Sequence, residues 1–266
     1  MHTPRRQISS IGVMGFGAFG RLMATHLQPH FALSVFDPGQ PATADSSGKG
    51  LTPTDIAGIA ACGLVILAVP VDQLPAALAA LSPHLRAGAI VLDVGSVKIG
   101  PAIAMQAGLP EHVEIIGTHP LFGPQSGRNG ISGLKIALCP IRGRSAWRIA
   151  AFLRKVLRLK VIMTTPDAHD REAAMVQGLT HLIAKILVRM EPLPRRMTTA
   201  SFDLLMQATE MVRYDAPGVF LAIERANPHA KAVRDQFFDL AEEMRMLLEN
   251  GHKSAPAKTS RNLATT

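Results

Sequence analysis

The sequence predicts an α/β protein in which a doubly wound parallel sheet is followed by an all-helical C-terminal domain. Three observations predict it. Apolar runs rich in Ile and Val alternate with longer helical patterns through the first 165 residues, the signature of a parallel sheet covered on both faces. A glycine-rich turn separates the first such run from the first helical pattern. From Thr165 onward no strand pattern recurs and apolar residues fall at helical spacing instead. A chain of 266 residues can bury a large core, and the change of pattern divides it into a domain over 1–165, a helical domain over 166–250 and a polar, disordered tail over 251–266.

The elements follow in order. "IGVMG" predicts a strand over 11–15, and the amphipathic stretch after it a helix over 18–28. Strands over 32–37, 64–69, 90–94 and 113–118 alternate with helices over 54–60, 71–82 and 99–107. "LKIALCP" adds a strand over 134–140, a basic helix spans about 145–157, and "LKVIMTT" is the last strand, over 159–165. Thr165 is an N-cap with Pro166 at the first helical position. Ala174, Leu179, Leu182, Ile183 and Ile186 then continue one helical face until "EPLPRR" stops it. Two further helical stretches cover 200–213 and 217–249, the second broken at Asn227-Pro228.

Composition excludes several classes. Apolar residues make up 47% of the chain, but Gly and Pro interrupt them, and no run reaches the roughly 18 to 20 residues that span a bilayer. The basic start "MHTPRR" precedes an apolar run that carries four glycines by Gly20 and leads into Arg21, so it reads as a first strand and not as a secretory signal. Cys62 and Cys139 show no CxxC spacing and fit a reducing cytoplasm. The net charge is +8, and seven Lys or Arg residues lie between Arg142 and Lys160 without an acid. No zinc knuckle, helix-turn-helix pattern or interleaved aromatics accompany them, so a solvated helix face is favoured over nucleic-acid binding.

The glycine turn carries the first chemistry. Gly15-Phe16-Gly17-Ala18-Phe19-Gly20 is a GxGxxG that leaves a predicted strand and opens a predicted helix. Gly15 allows the tight turn, Gly17 lets backbone approach a pyrophosphate at the helix N-terminus, and Gly20 lets helix and sheet pack closely. Asp37 ends the next strand 17 residues after Gly20, where a carboxylate bonds the ribose hydroxyls of NAD and repels the extra phosphate of NADP. The alternative is a chance glycine cluster beside a surface aspartate; the strand, helix and second strand in register argue against it. The fold is therefore of the Rossmann type, with NAD as cofactor. Val69-Pro70 ends another strand at the same carboxyl edge and walls the cofactor site, and Ser96 and Lys98 follow the next strand to that edge.

"GTHPLFGPQSG" places His119 at this edge as well, in a turn stiffened by Pro120 and Pro124. An imidazole there is suited to take a proton from a hydroxyl while hydride leaves the same carbon. From position alone, a structural histidine capping the turn is an equal alternative.

"GFGAFG", "DVGSVK", "GTHPLFGPQSG", "HDREAAMVQGLTH" and "SFDLL", in that order, make the sequence similar to the prephenate and arogenate dehydrogenase family of tyrosine biosynthesis. The similarity covers residues 8–249, and the "GFGxFG" and "SFDLL" forms resemble the branch that includes the plant enzymes. One departure is Asp37, where the plant enzymes usually carry a serine or arginine-rich turn suited to NADP.

The resemblance implies oxidative decarboxylation of a cyclohexadienol, with hydride passing to NAD, His119 taking the hydroxyl proton and Ser96 holding that hydroxyl or the imidazole. It implies no metal. In the helical half it implies His181 and Gln177 as substrate ligands; Arg213 and Arg128 are candidates to clamp the side-chain carboxylate, Lys98 at the sheet edge is a further substrate-binding candidate, and His169 and Asp170 are read as capping or packing residues. An acid just before "SFDL" looks like the arogenate determinant in the plant-like branch, and Ala200 stands there, which favours prephenate. Long apolar helical faces imply a homodimer. Two alternatives remain: a β-hydroxyacid dehydrogenase of the 6-phosphogluconate type, for which Lys185 is the candidate acid or base, and a non-catalytic NAD-binding regulator.

Overall fold

The computed structural model describes residues 8–39 and 51–250. Eight strands form one sheet: β1 (Ser10–Met14), β2 (Ala32–Phe36), β3 (Leu51–Pro53), β4 (Leu64–Leu67), β5 (Ile90–Asp93), β6 (Glu114–Pro120), β7 (Lys135–Arg142) and β8 (Lys160–Met163). Their spatial order is β3-β2-β1-β4-β5-β6-β7-β8. Between the strands lie α1 (Ala18–Leu27), α2 (Ile56–Ala60), α3 (Leu74–Leu81), α4 (Ile99–Gly108) and α5 (Ala146–Lys155).

The central strands β4 and β5 are buried along their whole length, which is why they read as unbroken apolar runs rather than as alternating ones. Alternate residues feed two cores. Leu64 and Ile66 join Ile11, Val13, Met23 and Leu27 on the face covered by α1 and α5. Val65 and Leu67 join Leu74, Leu78 and Met105 on the face covered by α3 and α4. The chain winds outward from β1 to β3 and then returns to β4 beside β1. That reversal opens a crevice at the carboxyl ends of β1 and β4, where doubly wound sheets bind ligands.

Two features depart from the sequence expectation. The sheet is not wholly parallel: β7 runs antiparallel to β6, while the other pairs are parallel. A parallel return needs a crossover, usually a helix, and the linking segment "LFGPQSGRNGISGL" holds none. It turns back through Gly130 and Gly133, both at positive φ. The second departure is β3, a three-residue edge strand ending in Pro53, too short to leave a periodic signal. Part of the basic stretch is structural, since Arg142 donates to the carbonyls of Leu109, Pro110 and Val113.

Beyond β8 the described residues are helical. Thr165 caps α6 (Pro166–Ala173) by accepting from the Ala168 amide. A π-helical turn, Ala174–Gly178, continues α6 into α7 (Leu179–Arg189), followed by α8 (Ala200–Arg213). The stretch expected as one helix over 217–249 consists of α9 (Pro217–Leu221), a second π turn over Ala222–Ala226, a break at Asn227 and α10 (Ala230–Glu249). The expected tail over 251–266 lies outside the described residues.

Candidate active site

The glycine loop occupies the crevice between β1 and β4, and its three glycines have separate reasons. Gly15 sits at φ +97°, and a Cβ there would lie 2.4 Å from the Ala68 carbonyl oxygen. A Cβ on Gly20 would lie 2.2 Å from the carbonyl oxygen of Gly15, so the helix could not approach the strand as it does. A Cβ on Gly17 would meet nothing within 4 Å: the protein leaves the space above it open. Gly17 is also the N-cap of α1 and brings no capping side chain to the first-turn amides. Unfilled space over backbone N–H groups at a helix N-terminus fits a dinucleotide pyrophosphate.

The neighbouring residues complete this half. Phe16 is buried under the Arg21 guanidinium, which lies 4.8 Å from its ring centre. Its amide donates to Asp37 Oδ2 at 2.6 Å, so the carboxylate expected at the end of β2 stands directly beside the loop. Ala18 opens α1, and the Phe19 ring lies 6.4 Å from that of Phe122, which joins the loop to the segment after β6. Val69 and Pro70 follow β4 across the crevice, held by the Ala68 amide donating to Met14.

His119 lies within the last turns of β6, 4% exposed and paired with Ala137 of β7. Its Nδ1 is 2.8 Å from His169 Nε2 and its Nε2 is 3.3 Å from Gln177 Nε2. His169 Nδ1 is in turn 2.7 Å from Asp170 Oδ1. Burial, then the neighbouring His169, then the charge on Lys98, hold His119 well below the usual 6.5. The ring is therefore neutral at physiological pH and has a lone pair to offer.

The other expected site residues are distributed as follows. Ser96 is half-buried on the loop after β5, and no hydrogen bond joins it to His119. Lys98, expected to face substrate, is 1% exposed and its ammonium pairs with the buried Asp93. The backbone amide of Lys98 is held by Asp170 at 2.7 Å. Burial raises the Asp93 pKa despite the opposing pull of Lys98. His181 is 4% exposed with both nitrogens engaged, Nδ1 by the Gln177 carbonyl at 3.0 Å and Nε2 by Asp215 at 3.1 Å. It can hold a substrate carboxylate only by giving up Asp215. Lys185 points over the Phe220 ring at 6.0 Å.

Arg128 and Arg213, 85 positions apart, line one open cavity of about 1610 Å³ together with Asp203, Gln207 and Glu191. Neither His119 nor Gln177 lines it; it adjoins the loop that leaves β6. Arg213 is bound by both Glu191 and Glu210, so it is not a free clamp. Arg128 is exposed and forms no ion pair among the described residues. Ala200 is absent from the lining, whereas Asp203, one helical turn later, belongs to it.

His169 and Asp170 are more than packing residues. Asp170 does cap, accepting from the Lys98 and Ile99 amides at the start of α4, but His169 contacts His119 directly. A signal existed: His169, Ala173, Gln177 and His181 recur every four residues. A spacing of four drifts around an α-helix of 3.6 residues per turn, and the wider π turn at Ala174–Gly178 offsets that drift.

Comparison with known proteins bears on the fold and on what the chain is similar to. Residues 36–161 match the family model described as prephenate dehydrogenase, nucleotide-binding domain. The match covers 126 of the 266 residues, just under half of the chain, and falls on the nucleotide-binding part of the family that the sequence resembles. It is 26% identical to the "Probable arogenate/prephenate dehydrogenase" of Methanocaldococcus jannaschii over 76% of this chain and 47% of that protein. It is 25% identical to arogenate dehydrogenase 2 of Arabidopsis thaliana, with 95% of this chain and 77% of the other covered. The chain thus spans about half the length of the first relative and about three quarters of the second. Among solved structures, prephenate dehydrogenase from A. aeolicus, in complex with hydroxyphenyl propionate and NAD+, shares the fold with a TM-score of 0.70 at 19% identity, over 92% of each chain.

Proposed function

We propose that the chain oxidatively decarboxylates prephenate or arogenate with hydride transfer to NAD, giving 4-hydroxyphenylpyruvate or tyrosine. The observation that carries the reading is the buried, neutral His119 beyond the glycine loop, its Nε2 3.3 Å from the Gln177 amide nitrogen. NAD bound over Gly17 would supply the hydride acceptor. His119 Nε2 takes the proton of the substrate hydroxyl as that amide gives way. Hydride leaves the hydroxyl-bearing carbon, and the electron pair of the ring–carboxylate bond moves into the ring as CO2 departs. The oxygen recovers a proton from the imidazolium as the ring becomes aromatic.

Ser96, on the loop after β5, which pairs with the strand that carries His119, is the proposed partner of that hydroxyl, and Arg128 the proposed partner of the side-chain carboxylate. Asp203 is the group in the cavity suited to the ammonium of arogenate. The helical half exposes Leu204, Met211 and Tyr214 on or next to α8, and Phe238, Met244 and Leu247 on α10, which supports a homodimer formed through it. Among the described residues no helix is long and apolar enough to cross a membrane. The two buried free cysteines suit a reducing cytoplasm.

The test is NADH formation with each substrate, with product identified chromatographically. Turnover of either that is lost in His119→Asn supports the reading, and a wild type inert to both overturns it.

A further inference from the structure

We propose that Asp170 and His169 are a positioning pair that fixes the tautomer of His119 and compensates the charge it acquires, an inference resting on His119 being the proton acceptor. The hydrogen bonds decide where each proton sits. The Asp170 side chain is 0% exposed and accepts from the Lys98 amide at 2.7 Å and the Ile99 amide at 2.9 Å. An ionised carboxylate only accepts, so its third partner, His169 Nδ1 at 2.7 Å, carries a proton. With that single ring proton on Nδ1, His169 presents a lone pair at Nε2. His119 Nδ1, 2.8 Å away, is therefore the donor, and the His119 lone pair is left on Nε2. A separate contact agrees, because the Gln177 amide nitrogen beside Nε2 can only donate.

The geometry is anchored from three sides. Asp170 holds the start of α4 through its carboxylate, its carbonyl accepts from Asn227 Nδ2 at 2.7 Å, and Thr165 caps the helix that carries it. When Nε2 takes the substrate proton, the imidazolium still donates through Nδ1 to His169, which still donates to Asp170. The negative charge lies two hydrogen bonds away. The other ionisable groups around His119 are Asp93 and Lys98 on and after β5, an ion pair whose ammonium disfavours the imidazolium, and the Cys139 thiol on β7, pushed up to about 12 by burial. An Asp170 that only capped α4 would leave Nδ1 of His119 without a constraint from this pair.

The test is the nitrogen NMR spectrum of the full chain labelled with 15N-histidine at about pH 8, with His119 assigned by its loss in His119→Asn. The expected result is a protonated Nδ1 and a bare Nε2. In His169→Phe, which keeps a ring but removes the acceptor, the Nε2–H tautomer gains population. There kcat falls on the order of 10²-fold, and His169→Gln, whose side-chain oxygen can accept, recovers most of it. A wild-type ring protonated at Nε2, or a His169→Phe protein with unchanged tautomer and kcat, overturns the proposal. Should the Phe variant not fold, the wild-type spectrum decides alone. The spectrum needs no substrate, so failure of turnover would overturn the proposed activity without settling the tautomer.

Discussion

Asp37 Oδ2 accepts a hydrogen bond from the Phe16 amide at 2.6 Å, which pins the carboxylate ending β2 to the middle of the glycine loop. Its other oxygen accepts from the Gly39 amide at 2.8 Å. A fixed negative charge at this place favours a pair of ribose hydroxyls, which can donate to it, and opposes a phosphate, which cannot. NAD is expected to exceed NADP in kcat/KM, and Asp37→Ser to narrow the gap. Equal kcat/KM for the two cofactors in the wild type would contradict this.

The glycines give a paired prediction that separates folding from binding. Gly20→Ala puts a methyl group 2.2 Å from a backbone oxygen, and a loss of about 1 to 3 kcal/mol in unfolding free energy is expected. Gly17→Ala fills space that the protein leaves open, so its Tm should match the wild type while NAD affinity falls. Thermal melts and cofactor titration of both variants check this; tight NAD binding by Gly17→Ala would move the pyrophosphate elsewhere.

His119→Asn should lower kcat by about 10² to 10⁴, the range of a lost general base, with a smaller effect on the Kd of NAD. A variant keeping more than about a tenth of wild-type kcat would leave His119 a structural residue.

The same ring makes stability depend on pH. His119 titrates well below its ordinary 6.5 because burial disfavours the cation. The unfolded chain therefore binds a proton below about pH 6.5 that the native state refuses. Its contribution is complete above that pH and is lost as pH falls toward the depressed native value. Between about pH 7.5 and 5.5 the wild type should lose more Tm than His119→Asn. Parallel losses would show that the ring is protonated in the native state.

Legibility in the sequence followed the range of the interaction. The glycine loop and Asp37 could be read because their roles are set by backbone conformation within one βαβ unit. Lys98 could not, since a residue following a strand looks the same whether its side chain turns outward or back onto Asp93. Its backbone is also fixed from afar, by Asp170, 72 positions away. His169 and Asp170 looked like the start of a capped helix, which they are, while the contact between His169 and His119 spans 50 positions. The direction of β7 was equally hidden: an apolar run does not show its polarity in a sheet, and only the missing crossover helix before it carried that information.

On the proposed activity, side-chain specificity is expected to turn on Asp203 rather than Ala200. Both lie in the first turn of α8, but Asp203 lines the cavity that Arg128 and Arg213 also line, and Ala200 does not. Glu191 and Glu210, which share that cavity, both pair with Arg213, whereas Asp203 forms no ion pair among the described residues and is the carboxylate proposed for the ammonium that arogenate carries and prephenate lacks. A charged hydrogen bond at an accessible site contributes about 1.5 to 3 kcal/mol, roughly 10- to 100-fold in kcat/KM. Asp203→Asn is therefore expected to lower kcat/KM for arogenate relative to prephenate by about tenfold or more, while Ala200→Asp leaves the ratio nearly unchanged. The measurement is kcat/KM for both substrates with NAD in the wild type and both variants. A ratio that responds to Ala200→Asp and not to Asp203→Asn would place the discriminating position at the start of α8, outside the cavity.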